Sequence, residues 1–144
     1  MKKRVINIIL LIIWLGVIFF FSAQKSEDSS KTSGIFDKVI KVFIKNEEHI
    51  STSKFVVRKV AHFTEYFILA LLIINVIKDY KEINYKLLLL TLILCFLYAC
   101  SDEWHQTFVE GRAGQFKDVL IDTSGALAGI LIYKLFKRIK IKKS

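Results

Sequence analysis

Residues 86–105 read KLLLLTLILCFLYACSDEWH. From Leu87 to Cys100 there is no charged side chain. A helix on the surface of a soluble domain carries an apolar stripe on one face, whereas this run is apolar all round. With its polar end included it reaches the ~20 residues that an α-helix needs to cross the hydrocarbon of a bilayer. The run then ends abruptly in SDEWHQTFVEGR at 101–112, which brings together carboxylates, a histidine, a glutamine and an arginine. A fold for this chain has to accommodate both halves of that pattern.

Working outward, three further segments have the same character. VINIILLIIWLGVIFFFSA fills 5–23 behind Lys2, Lys3 and Arg4; a second run covers 56–77, polar in its first half; a last one covers 118–136 and leads into KLFKRIKIKKS. The chain is 144 residues long, 53% hydrophobic and without proline, so no obvious helix breaker interrupts these runs. The expectation is an all-α, integral membrane four-helix bundle with spans at about 5–23, 56–77, 86–105 and 118–136, forming one domain over 1–144. The first segment has the basic start of a signal peptide, but its apolar core is long for one and no A-x-A site follows, so it is read as an uncleaved anchor. The net charge of +9 lies mostly at segment ends, which fits membrane sidedness and not nucleic-acid binding. Cys95 and Cys100 fall in one apolar run at a spacing that matches no metal motif.

Sidedness follows from the basic residues. The amino terminus, the loop KDYKEINYK and the tail from Lys134 to Lys143 are lysine-rich, and four crossings place all three on one side. Both termini are therefore expected in the cytoplasm, with 24–55 as a long outer loop and 106–117 as a short outer connection. Within the outer loop, GIFDKVIKVFIK at 34–45 sets Ile35, Phe36, Val39, Ile40 and Phe43 at helical spacing, the pattern of an amphipathic helix on the membrane surface.

That topology gathers the polar residues at the outer mouth. Arg58, His62 and Glu65 share a face of the second segment; Asp102, His105 and Gln106 share a face of the third; Asp118 and Asp122 share a face of the fourth. Glu65 stands about 15 Å along its helix from Phe55 and needs a partner, for which Arg58, His62 or a basic group of another segment is available. Lys59, Glu103 and Lys117 are expected only to reach back to water. Gly125 and Gly129, in a G-x-x-x-G spacing, are expected to let helices pack closely.

The motifs FSAQKSEDSSKTS at 21–33, RKVAHFTEYFILA at 58–70 and SDEWHQTFVEGRAGQFKDVLIDTSGALAG at 101–129 resemble those of the VanZ family of bacterial membrane proteins. Two positions depart from the family pattern: Glu110 stands where proline is usual, and Asp122 where asparagine is usual. The resemblance implies a multi-pass protein of the bacterial cell membrane. The family's founding member is associated with reduced susceptibility to teicoplanin, a glycopeptide that acts outside the membrane on lipid-linked cell-wall precursors.

Three functional readings stand. In the preferred one the protein is a non-enzymatic envelope component whose outer polar pocket binds the headgroup of a lipid or cell-wall precursor, with Arg58, Lys59 and Arg112 as donors and Gln106 and Asp118 beside them. In the second it is an intramembrane enzyme. His62, Glu65, Asp102 and His105 are then the candidate catalytic groups, and with Asp118 and Asp122 they are candidate ligands for a divalent metal. In the third, the polar residues form a buried ion-pair network that locks the bundle.

Overall fold

The computed structural model describes residues 2–23, 47–110, 112 and 114–143, and for the helical residues 47–55 and 140–143 the backbone alone. The described residues are all helix and connection. In chain order they form α1 (Lys2–Ser22), α2 (Glu47–Lys78), α3 (Tyr85–Gln106) and α4 (Phe116–Lys143), with no strand among them. Each helix contains a stretch long and apolar enough to cross a membrane: Lys2–Ser22, Val56–Lys78, Tyr85–Gln106 and Phe116–Ile139. The amphipathic stretch at 34–45 lies outside the described residues.

The helices overrun the apolar runs. α2 begins at Glu47, inside the stretch read as outer loop, and at 32 residues is about 48 Å long. α4 continues through the basic tail to Lys143. Hydropathy marks where lipid ends, whereas a helix ends only at a breaker or cap, and neither 47–78 nor 130–143 contains glycine or proline. At the other extreme, α3 starts sharply because the Asn84 side chain accepts a hydrogen bond from the Leu87 N–H at 3.0 Å.

Large apolar side chains cover the outside of the molecule. On α1, Ile6, Ile9, Ile12 and Ile13 are exposed while Ile18 and Ser22 alone are buried. On a water-soluble protein such a surface would be an interaction or aggregation surface; over four spanning helices it faces lipid. Inside, Tyr66, Leu69, Ala70 and Ile74 of α2 pack on Cys95 and Ala99 of α3 and on Val119, Ala126 and Ile130 of α4.

The most extensive helix pair is α2 with α4. Lys59 meets Asp118, His62 meets Asp122, and further along Phe63 and Phe67 meet Gly125 and Gly129, so the two helices run parallel. A Cβ at Gly125 would lie 2.1 Å from the Phe63 carbonyl oxygen, and one at Gly129 would lie 2.7 Å from that of Phe67. Only glycine permits this approach. The G-x-x-x-G spacing thus serves packing.

Side-chain to backbone hydrogen bonds register α1. Trp14 Nε1 donates to the Glu65 carbonyl at 3.0 Å, and the Tyr98 hydroxyl donates to the Leu15 carbonyl at 2.8 Å. At one end of the bundle Asn7 donates to Asp79 at 2.5 Å, Arg4 lies 5.2 Å from the Tyr80 ring centroid, and Lys137 donates to the Ile83 carbonyl at 3.1 Å. The start of α1, the α2–α3 turn and the end of α4 therefore share that end. Ser22, Gln106, Arg112 and Asp118 gather at the other.

Candidate functional site

The polar end is built around Asp118, in the first turn of α4. Its carboxylate is wholly buried and is ion-paired with both Lys59 and Arg58 of α2, the latter at 3.4 Å. Lys59 keeps only 14% of its side-chain surface and Arg58 keeps 35%, so Lys59 is held inside and does not reach back to water as its position suggested. One turn further, Asp122 is also wholly buried. Its Oδ1 lies 3.4 Å from His62 Nδ1 without the alignment of a hydrogen bond, and neither oxygen has a hydrogen-bond partner among the described residues.

The end of α3 supplies the facing wall. Asp102, Glu103 and Gln106 are all buried. The Gln106 amide nitrogen donates to Asp102 Oδ2 at 3.2 Å and to Glu103 Oε1 at 3.3 Å, and its oxygen accepts from Arg112 Nη1 at 3.3 Å. Arg112 Nη2 reaches across to the Phe21 carbonyl at 3.3 Å, tying the α3–α4 connection to the end of α1. Glu103 Oε2 accepts the Gln115 N–H at 2.8 Å. The connection lies so close to α3 that a Cβ at Gly114 would meet the Glu103 carbonyl oxygen at 2.3 Å, so glycine is required there as well.

Two guanidinium groups, those of Arg58 and Arg112, lie within electrostatic range of each other at this mouth. Partial burial, and behind it the nearby positive charge of Arg58, hold the Arg112 pKa below the ordinary arginine value. The Nε–H groups of both Arg58 and Arg112 are shielded from solvent and have no partner among the described residues.

The remaining residues singled out in the sequence fall around this core. Glu65 is half-buried in the electrostatic neighbourhood of His62, Asp122, Asp102 and Arg112. His105 faces α1: its ring lies 4.6 Å from that of Phe19, and its Nδ1 is buried without a partner. It borders a cleft of about 160 Å³ lined by Phe19, Tyr98, Asp102, Trp104 and Phe108. Asp102 interacts with both His62 and His105 and so joins the two sides. The structure therefore brings Arg58, Lys59, His62, Asp118 and Asp122 together at α2–α4. It joins Asp102, Gln106 and Arg112 at the end of α3 and turns His105 toward Phe19 of α1.

Glu103 is the residue that sequence reasoning sent to water. It stands three residues before Gln106, as Asp102 stands four before it, so both share the face of Gln106, and that spacing was open to view. One donor atom each from His62, Glu103 and Asp118 lie within 4.8 Å of one another, all three residues being buried. Of the six metal candidates drawn from the sequence, His62 and Asp118 belong to this group; Glu65, Asp102, His105 and Asp122 do not.

A family model described as VanZ/LLP1 matches residues 7–137, a range that takes in parts of all four helices. No curated protein and no solved structure matches the chain.

Proposed function

The chain belongs to the VanZ/LLP1 family, and we propose that it works as a multi-pass envelope protein of the bacterial cell membrane, whose polar mouth binds the anionic headgroup of a lipid or lipid-linked cell-wall precursor. The observation that carries this reading is the pair of guanidinium groups at the mouth. Arg58 and Arg112 stand close enough for like charge to matter, and each keeps a shielded Nε–H without a partner among the described residues. A phosphate or carboxylate between them would relieve the repulsion and accept both donors, and arginine is the side chain best suited to grip such groups.

The supporting parts are consistent with an amphiphilic ligand. The apolar cleft beside His105 opens next to the mouth, with Phe19, Trp104 and Phe108 as walls for an acyl or polyprenyl chain. The lysine-rich ends of the helices favour termini in the cytoplasm, and that orientation would turn the mouth outward, toward the precursors on which teicoplanin-type antibiotics act.

Binding of the purified protein to vesicles of matched composition, with and without an anionic phospholipid or a polyprenyl diphosphate, tests the reading. Selectivity for the anionic additive is expected, reduced by at least about tenfold in Arg112→Ala and in Arg58→Ala, in line with the ~1.5–3 kcal/mol of a hydrogen bond to a charged group. Equal binding to neutral and anionic vesicles, or selectivity untouched by both substitutions, would overturn it. Teicoplanin susceptibility of a deletion strain tests the link to glycopeptides separately.

A metal-dependent enzyme acting on the same class of lipid is the second reading. It draws on the His62, Glu103 and Asp118 donors.

A further inference from the structure

We propose that the buried group formed by His62 of α2, Glu103 of α3 and Asp118 of α4 is a binding site for one first-row divalent cation, of the Zn²⁺ or Mn²⁺ kind. This inference does not use the headgroup reading and stands or falls without it.

Three observations carry it. The first is geometric. One donor atom from each residue falls within 4.8 Å of the other two. Donors about 2.0–2.2 Å from a tetrahedral zinc ion lie ~3.3–3.6 Å apart, so a contraction of at most ~1.5 Å, the scale of a side-chain torsion change, closes the group on a metal. The three donors come from three different helices, so an ion at their centre would tie α2, α3 and α4 together.

The second is charge. Among the described residues of this cluster, Glu65, Asp102, Glu103, Asp118 and Asp122 face Arg58, Lys59 and Arg112. Five acidic side chains thus outnumber three basic ones around the His62, Glu103 and Asp118 donors, an excess suited to a bound cation. Carboxylates bind a metal ionised and histidine binds it neutral, so a cation taken up here displaces protons from its ligands.

The third is unsatisfied bonding. His62 Nδ1 and both oxygens of the wholly buried Asp122 have no hydrogen-bond partner among the described residues, although Asp122 Oδ1 lies 3.4 Å from His62 Nδ1. Histidines that bind a metal through one ring nitrogen commonly present the other to a carboxylate. Asp122 stands where such an orienting group belongs. The mixture of one imidazole with carboxylates favours zinc or manganese over calcium, which takes oxygen donors throughout.

The test uses the full-length protein in detergent, stripped with a chelator and titrated with Zn²⁺, Mn²⁺ or Mg²⁺ while thermal unfolding is followed. The expected result is a rise in melting temperature that saturates at one equivalent of Zn²⁺ or Mn²⁺. It should be lost in Glu103→Gln and in His62→Gln and kept in Asp79→Asn at the far end of the bundle. Should the site variants fail to fold, Co²⁺ added to the unaltered protein decides: visible d–d bands, saturating at one equivalent, are expected from a nitrogen–oxygen site. No stabilisation by either transition metal together with no cobalt spectrum would overturn the proposal, as would a metal response that persists in Glu103→Gln.

Discussion

A single methyl group added at Gly125 is expected to force α2 and α4 apart. The new Cβ would lie 2.1 Å from the Phe63 carbonyl oxygen and 3.1 Å from its Cα, whereas ordinary contact begins at 3.4 Å. The shortfall of about 1.3 Å is against backbone, which cannot rotate aside as a side chain would, so the helices themselves must separate. Overpacking a core costs ~1–3 kcal/mol, and here the same displacement stretches the Lys59–Asp118 pair two turns away. A loss of about 3 kcal/mol is therefore expected for Gly125→Ala. At Gly129 the nearest atom would be 2.7 Å away, again a carbonyl oxygen, and the loss should be about half as large. Gly16, on α1, would meet nothing within 4 Å. Gly16→Ala is thus neutral or stabilising by up to ~1 kcal/mol, the helix-propensity difference. Equilibrium unfolding in mixed micelles with a rising fraction of denaturing detergent, read by tryptophan fluorescence, gives the three values on one scale. If Gly125→Ala proves as stable as Gly16→Ala, the close seam between α2 and α4 does not exist.

Other outcomes follow from the same structure. Asp118→Asn removes the buried carboxylate charge shared by Lys59 and Arg58 and should cost about 3 kcal/mol in that unfolding assay. Adding Lys59→Met to it should restore part of the loss, and strict additivity of the two would argue against a direct pair. Tyr98→Phe removes the hydroxyl that donates to the Leu15 carbonyl and Trp14→Phe removes the donor to the Glu65 carbonyl; each should lower stability by about 1 kcal/mol, and no loss from either would show that α1 is not registered by these bonds. With Cys95 and Cys100 replaced by alanine, Thr107→Cys should react with a membrane-impermeant maleimide on intact cells, whereas Glu82→Cys should react only after permeabilisation. The reverse pattern would invert the bundle.

The four candidate spans among the described residues were legible from the sequence because a helix in lipid must be apolar over its full crossing, and α3 announces this from Leu87 to Cys100. Their true ends were not, because hydropathy is silent once the chain leaves the hydrocarbon, as at 47–55 of α2. Within the site, helical spacing told which residues share a face of one helix but not which neighbour that face meets. His105 and His62 carry the same kind of spacing to carboxylates, yet one turns to Phe19 of α1 and the other to Asp122 of α4. Lys59 and Glu103 look like residues that return to water from a helix end. The structure instead closes them in, because Asp118 lies opposite the first and the α3–α4 connection folds over the second to place the Gln115 N–H on its carboxylate. Both partners are distant or irregular, and no periodicity encodes them.

The glycine seam and the buried ion pairs are two consequences of one stripe on α4. Asp118, Asp122, Gly125 and Gly129 follow one another at spacings of four, three and four, so they line a single face along three turns. An aspartate carboxylate stands only one methylene from its backbone, and it can meet Lys59 and His62 only where α4 is already drawn close to α2. The glycines supply that approach, and the length of the acid is matched to it. Asp118→Glu keeps the charge but adds a methylene at a position with no exposed surface. If closeness decides the site, this change should destabilise by ~1–3 kcal/mol through overpacking, where a site governed by charge alone would accept it. Stability of Asp118→Glu indistinguishable from that of the unaltered protein, measured beside Asp118→Asn, would show that the seam does not set the reach of the acid.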